Sequence, residues 1–207
     1  VTGTPYLEHL YGRREGYSRL AARETLGLDQ DSLVVSLWSS HPEPTFNWPD
    51  WLNSQNRTHW ELVGTLRERQ GTLLACPHPL EVSPAADKNV LRAVRDDYVS
   101  LVRRTGLKSV QMELLHKTEA AGASDVCLFS LPSSAMVVPM ILGIPVVLAA
   151  GFPGCPDPPF PIGGLEEVLE NPEDRLRLQE ELLPYWSRGP GATRRIVEEV
   201  ERLALQV

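Results

Sequence analysis

The chain has little cysteine, an excess of acidic over basic residues and no long apolar segment. Its 207 residues include 3 cysteines without CxxC spacing, so neither a disulfide framework nor a zinc site is indicated. We interpret Cys76, Cys127 and Cys155 as small core residues. Lysine and arginine number 20 against 27 acidic residues, and the net charge of −7 disfavours a nucleic-acid or anionic-membrane surface.

Sequence signals of several other protein classes are missing. No apolar run reaches the roughly 18 residues that a membrane-spanning helix needs, and no secretory signal opens the chain. The GxGxxG fingerprint and the GxxxxGK[ST] loop are both absent, which disfavours a dinucleotide site and P-loop chemistry. We therefore expect a cytoplasmic protein without an integral membrane segment. Any peripheral contact with a membrane would come from sequence outside this chain.

The stretch from residue 113 to 149 predicts the order helix, strand, turn, helix, strand. Residues 125–130 and 145–148 are short apolar runs of the length expected for strands buried on both faces. The turn between them contains Ser133 and Ser134, directly before a predicted helix. Two hydroxyls and free N–H groups at a helix start, at the carboxyl end of a parallel strand, suit an anion such as phosphate. Serine also caps helices that bind nothing, so the turn alone leaves both readings open.

The rest of the chain repeats the alternation of strands and helices. The predicted sheet is Rossmann-like and parallel with helices on both faces, which is an α/β fold. A hydrophobic content of 42% in a chain of this length suffices for one domain. The remaining predicted strands are residues 32–37, 72–76 and 109–115, and the remaining predicted helices are 6–10, 17–26, 58–70, 86–106, 165–169, 172–183 and 192–205.

Polar residues follow two of these predicted strands and extend the candidate site. Ser39 and Ser40 come after the first strand, on the edge where parallel sheets bind ligands. His78 stands between two prolines directly after the second strand, in a stiff segment that aims its ring from the strand end. That placement suits an acid or a phosphate donor, although a lone histidine is also often structural. Asp29 and Asp31 imitate a DxD metal motif, but they precede a strand and we interpret them as a solvated turn.

These motifs resemble the donor-binding, C-terminal half of GT-B glycosyltransferases. Ser133-Ser134, the helix after it and the LGIPVV run at residues 142–147 carry the likeness. His78-Pro79 ahead of the serines is similar to the paired HP and SS motifs of GT-B enzymes with cytidine-activated donors. Those enzymes include bacterial sialyl- and polysialyltransferases and CDP-glycerol glycerophosphotransferases. The VTGTP opening at residues 1–5 looks like the crossover into the second GT-B domain, so we expect an acceptor domain upstream of this chain.

The resemblance implies roles for single residues. His78 would protonate or hydrogen-bond the departing phosphate, and Ser133 and Ser134 would donate to its oxygens. Ser39 and Ser40 are further candidates for phosphate binding. The candidates for binding the donor ribose are Glu113, in the segment MELL, and Glu119.

The resemblance also implies a reaction type. Retaining GT-B enzymes that use UDP- or GDP-sugars commonly carry two glutamates, and Ser130 and Val138 occupy the matching positions here. An inverting transfer of a sugar or polyol, without a metal or another cofactor, is therefore favoured. In the inverting families the catalytic base belongs to the N-terminal domain.

Residues 1–207 are expected to form one such domain, with 1–15 as the crossover segment and 163–207 as C-terminal helices. The last helix would have a partly bare apolar face, which favours self-association. Three alternatives remain: a UDP-N-acetylglucosamine 2-epimerase-like domain, one half of a UDP-sugar GT-B transferase, and a non-catalytic α/β scaffold. The scaffold would make both serines mere caps.

Overall fold

The computed structural model describes residues 17–38, 64–76, 108–111, 117–129, 133–148 and 164–187, with Leu10, Gly12, Arg14 and Leu62. Its strands are β1 (Val34–Trp38), β2 (Thr72–Cys76), β3 (Lys108–Gln111), β4 (Val126–Phe129) and β5 (Val146–Leu148). Its helices are α1 (Arg19–Thr25), α2 (Lys117–Ala123), α3 (Val137–Leu142), α4 (Leu165–Glu170) and α5 (Pro172–Ser187). Residues 64–68, between β1 and β2, are also helical.

The five strands form one parallel sheet in the order β3-β2-β1-β4-β5. The chain moves from β1 outward to β3 and then returns to the other side of β1 to add β4 and β5. This reversal makes the boundary between β1 and β4 the topological switch point of the sheet. The predicted α/β class and the Rossmann-like parallel sheet are confirmed.

Helices cover both faces of the sheet, as predicted. On one face α1, α2, α3 and α5 pack against side chains such as Val34, Leu74 and Cys127. On the other face the helical segment 64–68 and α4 pack against the alternate residues, such as Val35 and Leu73. Right-handed crossovers between parallel strands account for helices on both faces. When the chain reverses its direction across the sheet, a crossover of the same hand places its helix on the opposite face. β1, β2, β4 and β5 are buried at every position, and both faces contribute to the core.

A buried ion pair fixes α1 to the amino edge of the sheet. Arg23 is 2% exposed, and its guanidinium donates to Oδ2 of Asp125 at 2.7 Å and to the carbonyl oxygen of Ala123 at 3.0 Å. Oδ2 of Asp125 also accepts the N–H of Val34 at 2.8 Å, so this carboxylate joins the start of β1 to the start of β4. Arg19 adds an exposed ion pair to the same carboxylate. The burial of Arg23 is thus matched by hydrogen bonds on its charged group, as burial of a charge requires.

Several element bounds differ from the sequence predictions. The strand predicted at 109–115 is described only as Lys108–Gln111, and α5 extends to Ser187, four residues beyond its predicted end. The strand predicted to begin at Asp125 begins one residue later, at Val126, although the N–H of Asp125 still donates to the carbonyl oxygen of Val34 in β1 at 2.8 Å. Predicted segments 86–106 and 192–205, and almost all of 1–15, lie outside the described residues. Among the helices described, none is long and apolar enough to cross a bilayer.

Candidate anion site at the carboxyl edge of the sheet

Three neighbouring strands end at the same level on the carboxyl edge. Trp38, the last residue of β1, is paired with Cys76 at the end of β2 and with Phe129 at the end of β4. Neighbouring strands are about 4.8 Å apart, so the ends of β2 and β4 are separated by roughly 10 Å. The segments that continue from these strands contain the sequence candidates His78, after β2, and the two serine pairs, after β1 and β4.

An aromatic pair lies at the carboxyl ends of β1 and β4, on the face that α3 covers. The rings of Trp38 and Phe129 are stacked, with centroids 5.1 Å apart and an interplanar angle of 19°. The indole N–H of Trp38 donates to Oγ of Ser36 at 2.9 Å, and the Ser36 hydroxyl donates to Sγ of Cys127 at 3.1 Å. These bonds satisfy the polar atoms inside the apolar layer and hold the Trp38 ring in one orientation.

Burial makes Cys127 chemically inert. Desolvation raises the pKa of its thiol from 9.0 to about 12, although hydrogen bonds with Ser36, Trp38 and Ser124 act in the opposite direction. Cys76 is a buried free cysteine too. The interpretation of these two cysteines as core residues is confirmed, whereas Cys155 lies outside the described residues.

The serine turn begins a helix, but not with the geometry expected. Ser133 is the N-cap, and its Oγ accepts the N–H of Ala135 at 3.2 Å. The N–H of Ser133 donates to Sδ of Met136 at 3.5 Å, so the methionine closes the turn reciprocally. The helix starts as a 3-10 turn, Ser134–Met136, and continues as α3. Gly143 ends it in a left-handed conformation with φ of 72°, at the position predicted for the stop.

The turn retains hydrogen-bond donors for a ligand. Ser134 is exposed, and its hydroxyl makes no hydrogen bond to any residue within the described ranges. The N–H of Ser134 is the first of the 3-10 turn and so has no acceptor within it. Ser133 uses its oxygen as an acceptor for the cap, which leaves its hydroxyl proton able to donate. One anionic oxygen placed over the turn could therefore receive two or three hydrogen bonds.

Four of the predicted site residues lie outside the described residues: Ser39, Ser40, His78 and Glu113. Their assignments stay predictions. Asp29 and Asp31 form the expected exposed turn, in which Oδ1 of Asp29 accepts the N–H of Asp31 at 2.9 Å. This turn precedes β1 and is therefore at the amino edge, away from the serines.

Glu119 lies in the first turn of α2 and lines a cavity of about 440 Å³ between α1 and α2. Neither Ser133 nor Ser134 lines this cavity. Its other walls include Tyr17, whose hydroxyl donates to the carbonyl oxygen of Thr118 at 3.3 Å. The assignment of Glu119 to ribose binding stays a prediction.

This cavity was not predicted from the sequence. A Cβ atom at Gly122 would be 1.9 Å from Cε1 of Tyr17, so the ring packs where only glycine leaves room. A glycine within a predicted helix is the one sequence signal that indicates such a close approach.

In the comparisons with known proteins, no family model matches the chain, and no curated protein matches it significantly.

Proposed function

We propose that this chain is the donor-binding half of a GT-B glycosyltransferase or a related glycerophosphotransferase. The donor would be a sugar or polyol activated by a nucleotide, with cytidine as the favoured base. One observation carries the proposal: β2, β1 and β4 end side by side at the switch point, with the cap of α3 directly after β4. Ligands of open parallel sheets bind in the crevice at that place.

The serine turn supports binding of the donor phosphates. Ser133 and Ser134 would donate to phosphate oxygens from the loop after β4, where the free N–H of Ser134 adds a third donor. Ser39 and Ser40 would add donors from the segment after β1. The roughly 10 Å between the ends of β2 and β4 is comparable with the length of a nucleoside diphosphate.

His78 would assist departure of the nucleotide. One residue, Pro77, separates it from Cys76, the last residue of β2, so it follows the strand next to β1. A histidine facing the phosphate would donate a proton or a hydrogen bond as negative charge develops on the leaving oxygen. The ribose would be bound by a carboxylate, for which Glu113 and Glu119 are the candidates.

The reaction would be inverting and would need a second domain. Transfer requires an acceptor and its base within about 3.5 Å of the donor carbon, and most of the rate gain comes from that positioning. The described sheet has one carboxyl edge, which provides the donor side alone. We therefore expect this chain to bind nucleotide without catalysing transfer, within a cytoplasmic enzyme of cell-surface polysaccharide synthesis.

Calorimetric titration of the chain with CMP, CDP, UMP and UDP tests the proposal. Tighter binding of the cytidine nucleotides supports it, whereas uridine preference would favour the epimerase or the UDP-sugar transferase. Absence of binding would favour the scaffold, in which Ser133 serves only as a cap. A Glu24→Gln variant is a suitable control, because Glu24 is exposed on α1 and should leave every affinity unchanged.

A second assay tests whether this chain binds the donor without catalysing transfer. The chain is incubated with CMP- and CDP-activated donors, and released nucleotide is measured with and without a polysaccharide acceptor. The expected result is binding without acceptor-dependent release. Acceptor-dependent turnover by this chain alone would contradict the half-site proposal.

A further inference from the structure

A side-chain amide bonds the outer side of β5, at one edge of the described sheet. The inner side of β5 pairs with β4. On the outer side, Oε1 of Gln179 accepts the N–H of Val146 at 2.6 Å, and Nε2 of Gln179 donates to the carbonyl oxygen of Ile144 at 2.9 Å. Both polar atoms of this buried side chain are therefore satisfied by backbone groups at the start of β5.

The pattern of these two bonds is that of a parallel ladder. In a parallel pair, one residue donates to the carbonyl before its neighbour and accepts from the N–H after that neighbour. Gln179 bonds the two residues that flank Pro145 in this way. The carbonyl oxygen of Pro145 points to the inner side, where it accepts the N–H of Cys127 in β4 at 2.8 Å. The amide thus occupies the position that one residue of a sixth parallel strand would take.

Packing of α5 holds the amide against β5. Gln179 is 1% exposed, and Leu183, four residues later on the same face of α5, is buried in one cluster with Ile141 of α3 and Leu148 of β5. Val146 is also inaccessible to solvent. The outer side of β5 therefore becomes available for pairing only when this face of α5 moves away from the sheet.

The sequence around β5 favours pairing between identical copies. Residues 142–150, LGIPVVLAA, contain no charged residue, so two copies of this segment would not repel each other. An apolar strand with unpaired edge groups is a template for a strand of another molecule. Pro145 gives no protection, because its nitrogen is on the inner side together with its carbonyl group and removes no donor from the outer side.

We propose that Gln179 prevents a second copy of this chain from adding its own β5 segment as a sixth strand. The amide makes both hydrogen bonds that the incoming strand would make at Ile144 and Val146. An apolar residue at position 179 would leave a buried N–H and a buried carbonyl oxygen without partners, and a strand of a second copy would satisfy them. This role is independent of the proposed nucleotide site.

Gln179→Met tests the role, because it keeps the approximate volume of the side chain and removes both hydrogen bonds. In hydrogen exchange of the ¹⁵N-labelled variant, the Val146 amide should exchange about tenfold faster relative to the amide of Val147, which the ladder directs towards β4. Sedimentation should show stronger self-association than in the wild type, and Val146 should become protected again at high protein concentration. Arg177→Gln removes an exposed ion pair within α5 and should behave as the wild type.

Asp125→Ala separates this role from a general loss of stability, because Asp125 bonds the start of β1 at the amino edge. It should destabilise the chain without raising self-association to the level of Gln179→Met. The proposal is overturned if Gln179→Met self-associates no more than the wild type, if its Val146 amide stays unprotected at high concentration, or if Asp125→Ala associates equally. If Gln179→Met does not fold, hydrogen exchange of the wild type in low urea decides. The Val146 amide should then exchange together with the amides of α5, and exchange together with Val147 would overturn the proposal.

Discussion

Replacing Ser134 by alanine should weaken nucleotide binding and leave the stability of the fold almost unchanged. Ser134 is exposed, and its hydroxyl bonds no residue of the described chain, so truncation should change the free energy of unfolding by less than about 0.5 kcal/mol. The same truncation removes one donor to a charged phosphate oxygen. A hydrogen bond to a charged group contributes about 1.5–3 kcal/mol, which corresponds to a roughly 10- to 150-fold rise in Kd.

Ser133→Ala is the matched variant, because Ser133 also caps the helix. Loss of its hydrogen bond from the N–H of Ala135 should cost about 1 kcal/mol of stability and lower Tm by about 2–4 °C in a chain of this size. Calorimetric titration with CMP and thermal unfolding are measured on both variants. If Ser134→Ala binds CMP as tightly as the wild type, the turn does not bind phosphate through that hydroxyl and the reasoning is refuted.

Three further perturbations have defined outcomes. Asp125→Ala should lower the free energy of unfolding by about 3–5 kcal/mol because Arg23 stays buried without its carboxylate, whereas Arg19→Ala should cost less than about 1 kcal/mol; equal losses in urea unfolding would contradict this. Burial raises the pKa of Cys127 from 9.0 to about 12, so the protonated thiol stabilises the fold fully below pH 9 and this contribution is lost as the pH rises towards 12. The stability of the wild type relative to Cys127→Ala should therefore fall by about 1.4 kcal/mol per pH unit in that window, and parallel urea-unfolding profiles would refute it. His78→Ala should weaken nucleotide binding by about 1–3 kcal/mol without unfolding the chain, and unchanged affinity in calorimetry would end its assignment.

The strands that run through the middle of the sheet were predictable because burial on both faces selects continuous apolar runs. β2 has the bounds that the sequence predicts, Thr72–Cys76, because Gly71 and Pro77 delimit it. β3 was harder, since it is at the edge of the sheet and its sequence KSVQ is largely polar. Such a run carries little periodicity from which to fix an end.

The neighbours in the sheet could not be predicted from periodicity, which identifies strands and not their order. The pairing of Trp38 with Phe129 joins residues far apart in the sequence, and so does the ion pair of Arg23 with Asp125. The cavity of Tyr17 and Glu119 is likewise formed by two helices that are distant along the chain. Local sequence signals predict where a helix begins and ends. They do not predict which residues distant in the sequence come into contact, because the folded structure determines those contacts.

Within the serine turn, the cap and the Gly143 stop were predictable and the 3-10 start was not. The prediction rested on residue types that favour helix ends. In this 3-10 turn the sulfur of Met136 accepts the N–H of Ser133, and a methionine carries no capping signal in the sequence. Ser134 is exposed in this turn, which makes it the sharper test of phosphate binding.

The most direct test of the central claim is the amide spectrum of the ¹⁵N-labelled chain during titration with CMP. We predict saturable shifts at Ser133, Ser134 and Ala135, with smaller shifts at the end of β1 and none at the amino-edge turn of Asp29. Replacing both serines by alanine should remove these shifts while the rest of the spectrum stays folded. Saturable shifts confined to another part of the chain, or none at all, would contradict a nucleotide site at this edge of the sheet.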